Sequence, residues 1–306
     1  MSQKILYSVI VPAYNEEDNI SLLAEKFQEV FQKSGNTGEL VIVDDGSSDK
    51  TYQKALEFKK RFPFIKVASH FQNLGKTQAL VTGFAIAEGD IYVIFDADLQ
   101  FDPFDVPRMV AEIQNGSDIV TGWKQGKYEK KFVSKIYNRL SQKLFKVPIH
   151  DLNSIKAFKK EIIDNITLRK DWHRYLVVLA AQQGYKVSEI KVNLYPRRFG
   201  KSKYSGWGRI LIGVLDLFAV KFQLTFMQKP MLLFGAIGLI LTFLGILAGI
   251  VALVLRIFFE TGFRPLLNLV MLLVLSGILF FILGFLAEAI ANVSEKVDEL
   301  KKSIKK

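Results

Sequence analysis

The chain has 306 residues, of which 50% are hydrophobic, and a formal net charge of +11. This length suits one large domain or two smaller ones with a sizeable core. The chain contains no cysteine, which excludes disulfide frameworks and thiolate metal sites. The N-terminus lacks the basic, apolar and small-residue layout of a secretory signal, so we expect the N-terminal domain to stay in the cytosol.

The first part of the chain alternates short β-rich runs with helical patterns. Strands are predicted at residues 7–11, 40–43, 65–68 and 91–95, and helices at residues 16–32, 49–61 and 76–88. Such alternation predicts right-handed β-α-β units and a mostly parallel sheet. Ligands of these sheets bind beyond the C-terminal ends of the strands.

Three of the predicted strands are followed by polar, largely acidic segments, "PAYNEED", "DDGSSD" and "DADLQ". These segments should share one edge of the sheet, where their carboxylates repel one another unless a cation is present. Asp98 and Gln100 offer the oxygen ligands that Mg²⁺ prefers, and Mg²⁺ usually completes its shell with substrate phosphates. The alternative is a plain acidic turn. A second acidic segment on a neighbouring strand favours a metal site.

Two later segments are long enough to cross a membrane. Residues 231–255 and 266–287 are uncharged runs of 25 and 22 residues, and about 20 apolar residues span a bilayer. The alternative is a buried helical hairpin in a soluble core, but core helices seldom remain apolar on every face for this length. We therefore predict two transmembrane helices.

The distribution of positive charge predicts the orientation of these helices. Basic residues are concentrated in residues 196–229, before the first run, and in the tail after the second. Because basic residues remain on the cytoplasmic side, both termini are predicted to be cytoplasmic. Residues 210–226 are apolar with sparse polar residues and fit either an interfacial helix or a core helix.

The motif blocks "SVIVPAYNEEDNI", "VIVDDGSSDKT", "NLGKTQALVTGF" and "IFDADLQFDP" closely resemble those of family 2 glycosyltransferases with the GT-A fold. Downstream, "SKIYNRLSQKLF", "HDLNSIKAFKK" and "RRFGKSKY" resemble the polyprenyl-phosphate branch. That branch includes dolichyl-phosphate mannose synthases and bacterial undecaprenyl-phosphate glucosyltransferases. The resemblance covers about residues 7–230 and implies an α/β GT-A catalytic domain followed by a two-helix transmembrane hairpin.

The resemblance implies a donor site at the acidic edge. Its residues would contact the nucleotide, hold the base and ribose, or lie beside the donor: Pro12, Tyr14, Glu16, Asp44, Asp45, Lys76 and Asp96. Asp96 and Asp98 correspond to the family's catalytic metal and diphosphate carboxylates, and Gln100 to a further metal ligand. The implied cofactor is Mg²⁺ or Mn²⁺.

The resemblance also implies an acceptor site. Its lipid-phosphate ligands would be Arg139, Arg197, Ser202 and Lys203. Asp151 matches a family acid near the acceptor and is included among the catalytic residues. The family motif there more often reads D-x-x-S-G-F-R, whereas this chain has Ile155 for Gly and Lys156 for Phe. Attraction of the Arg197–Lys203 cluster to anionic lipid is an alternative role for those cations.

The residues 172–174 offer further candidates with structural alternatives. Trp172 would pack or lie near the interface, His173 would act in catalysis or form a structural hydrogen bond, and Arg174 would support the acceptor pocket or pair with a core acid.

The predicted organisation has four parts. These are a cytoplasmic GT-A domain at residues 1–209, a juxtamembrane helix at 210–229, two transmembrane helices within 230–288, and a basic cytoplasmic tail at 289–306. The implied partners are a nucleotide-sugar donor, a polyprenyl phosphate acceptor and the inner membrane, with no nucleic acid. The resemblance also suggests a homo-oligomer, since related enzymes include tetramers.

The resemblance, together with these features, predicts an inverting transferase that moves one hexose to polyprenyl phosphate. The resemblance to two-span enzymes makes UDP-glucose the first donor to test and GDP-mannose the next. A processive polysaccharide synthase is the second reading, but a two-helix hairpin is too small to form a channel alone. A non-catalytic scaffold that binds nucleotide sugar is the third. The intact acids at Asp96 and Asp98 argue against it.

Overall fold

The computed structural model describes residues 4–35, 37–126, 131–166, 168–169, 171–197, 215, 217–222, 229–259, 262 and 264–304. The chain divides into two compact units, Met1–Ile210 and Leu211–Lys306. The first unit contains β1 (Tyr7–Ala13), α1 (Glu17–Ser34), β2 (Gly38–Asp44), α2 (Thr51–Arg61), β3 (Ile65–Ser69), α3 (Lys76–Ile86), β4 (Ile91–Ile94), α4 (Asp105–Gln114), β5 (Ile119–Gln125), α5 (Lys131–Phe145), β6 (Lys156–Lys159), α6 (Lys160–Asn165), a 3₁₀ turn (Trp172–Tyr175), α7 (Leu176–Gln182) and β7 (Val187–Asn193).

The strands form one seven-stranded sheet in the order β3-β2-β1-β4-β6-β5-β7. β1 pairs in parallel with both β2 and β4, and β2 pairs in parallel with β3. β6 runs antiparallel to β4 and to β5, whereas β5 and β7 are parallel. The C-terminal ends of the parallel strands therefore share one edge with the start of β6, and the polar segments after β1, β2 and β4 leave from that edge.

The central strands are apolar because helices cover both faces of the sheet. All seven residues of β1 except Pro12 are buried, and so are all four residues of β4. Continuous apolar runs of this kind are typical of parallel strands that are buried on both faces. The long helix α1 packs its apolar stripe on this sheet through residues such as Leu23 and Phe27. The core thus holds the strand ends, and the polar edge beyond them, in fixed positions.

The second unit contains two long helices, α8 (Pro230–Phe258) and α9 (Arg264–Ile304). By length and composition, both are apolar enough to cross a membrane over Pro230–Phe258 and Arg264–Ser294. The helix predicted at residues 266–287 does not end there, because α9 continues through the charged tail. Of the juxtamembrane helix predicted at residues 210–229, residues 217–222 are helical. Residues 210–214, 216 and 223–228 lie outside the described residues.

The two long helices contact each other closely at glycines. A Cβ atom added at Gly238 would lie 2.6 Å from the Gly277 carbonyl oxygen, and one added at Gly277 would lie 2.7 Å from the Thr242 nitrogen. Small residues let transmembrane helix backbones approach each other in this way. By contrast, a Cβ at Gly249 would meet only Val270, at an ordinary 3.5 Å.

Gly277→Ala is therefore expected to destabilise the helix pair by about 1–3 kcal/mol, the usual cost of overpacking. Gly249→Ala is the matched control, because its new methyl group fits without displacement. Reversible denaturation of the full chain in detergent micelles measures the difference. Equal stability of the two variants would contradict the close packing at Gly277.

Candidate active site

The segments after β1 and β2 are joined by hydrogen bonds. The Asn15 nitrogen donates to Ser47 Oγ at 2.9 Å, and the Ser48 nitrogen donates to Asn15 Oδ1 at 2.9 Å. The Glu16 nitrogen donates to Thr51 Oγ1 at 2.8 Å. Asn15 has a left-handed φ of 52°, which asparagine tolerates better than most residues. "PAYNEE" and "DDGSSDKT" therefore form one continuous surface at the sheet edge.

Asp45 holds the segment that leads into α3. It is buried, and its carboxylate accepts bonds of 2.9 Å from each of the Leu74 and Gly75 nitrogens. His70 Nδ1 lies 2.8 Å from the same carboxylate. These contacts position the start of α3, and thus Lys76. The base and ribose role that the resemblance implies for Asp45 stays a prediction.

Asp44 and Gly46 shape the adjoining turn. Asp44 is buried and accepts bonds from the Ser47 nitrogen at 3.3 Å and from Ser69 Oγ at 3.1 Å. Gly46 has a φ of 69°, and an added Cβ would lie 2.7 Å from the Asn73 nitrogen. Glycine is required here both by the left-handed backbone and by the close approach of the neighbouring segment.

Asp96 and Lys76 form an ion pair beside this surface. Burial raises the pKa of Asp96, but the Lys76 charge and hydrogen bond, aided by Lys156, outweigh burial and leave the pKa below its usual range. Asp96 is therefore an ionised carboxylate with its own cation. Lys76, which the resemblance places near the donor, reaches the carboxylate predicted to face the donor diphosphate.

Asp98 and Gln100 converge on a single cation. Arg197 Nη2 lies 2.9 Å from Asp98 Oδ2, and Arg197 Nε donates to Gln100 Oε1 at 3.2 Å. Between them, Leu99 has a left-handed φ of 51°, an uncommon conformation for a leucine that is typical of functional sites. This bend brings the two predicted metal ligands to one guanidinium group.

The same convergence tests whether these residues fit a divalent ion. The Arg197 guanidinium contacts oxygens of both Asp98 and Gln100, so a carboxylate oxygen and an amide oxygen face the same point. Oxygen ligands of this kind are the ones that Mg²⁺ and Mn²⁺ prefer. Burial and the Asp96 charge raise the pKa of Asp98 to about 6, against the lowering effect of Arg197. No group of three or more acidic or histidine side chains suited to a metal occurs among the described residues. Further ligands would therefore come from the donor phosphates.

A second charged cluster surrounds Asp151, which precedes β6. Asp151 is buried, and its carboxylate accepts the Asn153 nitrogen at 2.9 Å and lies 3.3 Å from Lys124 Nζ. Lys156 is also buried, and its Nζ donates to the Ser154 carbonyl at 2.9 Å. Lys124 and Lys156 were not predicted. Lys124 is the penultimate residue of β5, a strand that the sequence patterns missed. Lys156 is one of the two departures from the family motif noted above.

His173 joins α3 to the 3₁₀ turn. Its Nδ1 lies 2.8 Å from Thr77 Oγ1, which also accepts the Asp171 nitrogen at 2.9 Å. Burial, together with the charges of Lys76 and Lys156, lowers the pKa of His173 well below its usual value. His173 is therefore a neutral, buried hydrogen-bonding group, which favours the structural reading of this residue.

The remaining predicted residues are less closely connected. Pro12 lies in β1 and Tyr14 directly follows that strand at 36% exposure, at the same edge as Asp44. Arg139 is exposed on α5, and no described contact joins it to Arg197. Ser202 and Lys203 lie outside the described residues. Binding of the acceptor phosphate by Arg139, Arg197, Ser202 and Lys203 stays a prediction.

The buried lysine makes stability depend on pH. Burial, with the charges of Lys76 and Lys124, lowers the pKa of Lys156 from 10.5 to about 7, although Asp151 opposes the shift. Between these values the unfolded chain binds a proton that the folded chain does not, so stability should rise with pH. Lys156→Met should remove up to about 1.4 kcal/mol per pH unit of that slope between pH 7 and 9.

Urea unfolding at a series of pH values measures this slope, and Lys160→Met on the surface helix α6 is the control. If Lys156→Met kept the wild-type slope, the lysine would be charged at neutral pH.

Comparisons with known proteins identify the family of this chain. Residues 8–167 match the model of the glycosyl transferase family 2. The chain is 31% identical over 310 residues to the dodecaprenyl-phosphate galacturonate synthase of Rhizobium johnstonii, covering 97% of this chain and 90% of the relative. It is 33% identical over 211 residues to the dolichol-phosphate mannosyltransferase of Pyrococcus furiosus, covering 65% and 59% respectively.

Solved structures share the fold. The glucosyl-3-phosphoglycerate synthase of Mycobacterium tuberculosis, in complex with Mn²⁺, uridine diphosphate and glucosyl-3-phosphoglycerate, aligns with a TM-score of 0.56 at 19% identity. The alignment covers 72% of this chain and 79% of that protein. The family match and the shared fold together show that the chain belongs to the glycosyl transferase family 2, with a GT-A-like catalytic fold.

Proposed function

We propose that this protein transfers one sugar from a nucleotide diphosphate donor to polyprenyl phosphate. The observation that carries the proposal is the similarity to the galacturonate synthase, which extends over 97% of the chain. The match therefore includes the two long apolar helices as well as the catalytic domain. An enzyme held in the membrane by these helices would be close to a lipid acceptor in the same membrane.

The proposed chemistry needs no dedicated general base. A lipid phosphate carries an ionised oxygen at neutral pH, which attacks the anomeric carbon as the bond from that carbon to the diphosphate breaks. Nucleoside diphosphate leaves, and the anomeric configuration is inverted. A divalent ion, when bound by Asp98 and Gln100, would stabilise the negative charge of the leaving diphosphate. The protein's main tasks are then to position the two phosphates and to supply positive charge.

The described residues supply these functions at one edge of the sheet. Lys76 holds Asp96 in its ionised form beside the donor surface. Lys124 provides positive charge next to Asp151, the predicted acceptor side. We propose that Asp96 and Asp98 act on the donor diphosphate and that Asp151 holds Lys124 where it can face the acceptor.

For the donor we propose a nucleotide diphosphate hexose, with UDP-glucose tested first. The names of the relatives include galacturonate, mannose and 4-deoxy-4-formamido-L-arabinose, so GDP-mannose and UDP-galacturonate belong in the same panel. We further propose an inner-membrane location, with the catalytic domain and both termini on the cytoplasmic side, because basic residues flank the two apolar helices.

The decisive experiment incubates detergent-purified protein with undecaprenyl phosphate, Mg²⁺ and each radiolabelled nucleotide sugar in turn. We expect label from one donor to enter the organic phase, and EDTA to prevent this. Mass spectrometry of the lipid should show a single added sugar. Several sugars per lipid would indicate a processive enzyme, and no labelled lipid from any donor, despite donor binding, would refute the proposed function.

A further inference from the structure

Arg197 contacts both side chains that the proposed function assigns to the divalent ion. Its guanidinium bonds Asp98 Oδ2 at 2.9 Å and Gln100 Oε1 at 3.2 Å. The side chains of Asp98 and Arg197 are 9% and 27% exposed, respectively. This is a sheltered, two-point contact, unlike a surface ion pair, whose contribution is small.

We infer that Arg197 is a built-in competitor of the divalent ion, occupying Asp98 and Gln100 until the ion expels it. The inference rests on the proposed function, because that function makes these two residues the metal ligands.

Competition follows from which oxygen atoms remain available. Asp98 Oδ1 already accepts the Gln100 nitrogen at 3.2 Å, and Gln100 Nε2 donates to the Tyr195 carbonyl at 3.3 Å. The oxygens directed away from these internal bonds are Asp98 Oδ2 and Gln100 Oε1, and Arg197 binds both. A guanidinium and a divalent cation on the same two oxygens would repel each other strongly at that distance. The arginine side chain therefore has to leave.

The backbone keeps the expelled arginine close to the site. The Tyr195 nitrogen donates to the Gln100 carbonyl at 2.8 Å, only two residues before Arg197. Release thus requires a side-chain rotation and leaves the main chain in place. A guanidinium freed beside a metal-bound diphosphate is well suited to bind a phosphate oxygen, so ion binding would convert Arg197 from a blocker into a phosphate ligand.

The neighbouring cations have different partners. Lys76 pairs with Asp96, and Lys124 pairs with Asp151. In the part of the chain that the structure describes, neither of these carboxylates forms an ion pair with Arg197. The competition is therefore assigned to Arg197 rather than to the general positive charge of the site.

The test measures the dissociation constant of Mn²⁺ for the full-length protein in detergent without donor, from the electron paramagnetic resonance signal of free Mn²⁺. Hydrogen bonds to charged groups correspond to about one to two powers of ten in a binding constant. We therefore expect Arg197→Gln to bind Mn²⁺ about tenfold more tightly than wild type. Asp98→Asn should lose this binding, which identifies the site that is being measured.

Two further variants separate displacement from simple charge repulsion. Arg197→Lys keeps the charge but cannot span both oxygens, so it should also bind Mn²⁺ more tightly than wild type, by less than Arg197→Gln. Arg108→Gln is the control, because Arg108 pairs with Asp105 on α4, outside the site. It should leave the Mn²⁺ constant unchanged.

Unchanged or weaker Mn²⁺ binding in Arg197→Gln would overturn the inference, as would a lysine variant indistinguishable from wild type. If Arg197→Gln does not fold, the lysine variant alone decides the question. The proposed function fails differently: wild-type protein would bind Mn²⁺ and still label no lipid. An enzyme that labels lipid while Arg197 has no effect on Mn²⁺ would refute the inference alone.

Discussion

Asp98→Ala should reduce lipid labelling by about a hundredfold to a thousandfold. The substitution removes the carboxylate that, with Gln100, would hold the divalent ion. Charge stabilisation of the leaving group by a metal contributes several kcal/mol to catalysis, and loss of one such contact commonly costs 10²–10³ in rate. Initial rates of radiolabel transfer to undecaprenyl phosphate, at saturating donor, measure the loss.

The matched control is Asp102→Ala. Asp102 lies in the same segment and accepts the Phe104 nitrogen at 3.0 Å, so its loss weakens a turn without removing a predicted ligand. We expect activity within about threefold of wild type for this variant, as for most substitutions away from the reacting groups. Comparable losses in the two variants would mean that Asp98 acts through the local fold and not on the reaction.

Asp45→Ala should cost about 3–5 kcal/mol of folding free energy, the usual effect of removing one partner from a buried charged network. The variant leaves the Leu74 and Gly75 nitrogens and the His70 ring without their carboxylate partner. Since those groups set the start of α3, activity should fall along with stability. Chemical denaturation followed by circular dichroism measures the change.

Asp90→Ala provides the comparison for this second prediction. Asp90 pairs with Lys4 at 2.7 Å, but its side chain is 57% exposed, and exposed pairs contribute about 0–1 kcal/mol. If Asp45→Ala were as stable as Asp90→Ala, the hydrogen bonds from residues 70–75 to Asp45 would not stabilise the fold. The nucleotide-binding role implied by the resemblance would then be the better explanation for Asp45.

The first half of the sheet could be predicted because its strands are short, fully apolar and separated by clear helical patterns. The predicted strands at 7–11, 40–43, 65–68 and 91–95 each lie within two residues of β1 to β4 at both ends. β5, β6 and β7 were missed. β5 contains a glycine, and β6 has four residues of which Lys156 and Lys159 are charged, so neither has an apolar pattern. Tertiary pairing, rather than local preference, forms these strands.

Local sequence patterns also predicted only part of the site. Acidic segments after successive strands predicted a polar edge, because topology alone brings parallel strand ends together. The contact from Arg197 to Gln100 joins residues 97 positions apart, and no local pattern reports such a pair. Likewise, hydropathy located the apolar part of α9 but not its end, since charged residues after position 287 are compatible with a continuing helix.

The antiparallel strand β6 has a consequence for how this enzyme could diversify. β5 ends at the acidic edge, and the chain returns to that same edge to begin β6, with Thr121 opposite Lys156. Residues 126–155 therefore connect two neighbouring strands at a single edge of the sheet. An insertion in this segment would leave the pairing of β1 with β2 and β4, the strands that precede Asp45 and Asp98, as it is. If Asp151 contributes to the acceptor side as proposed, variation in this segment would alter the acceptor and leave the donor side unchanged.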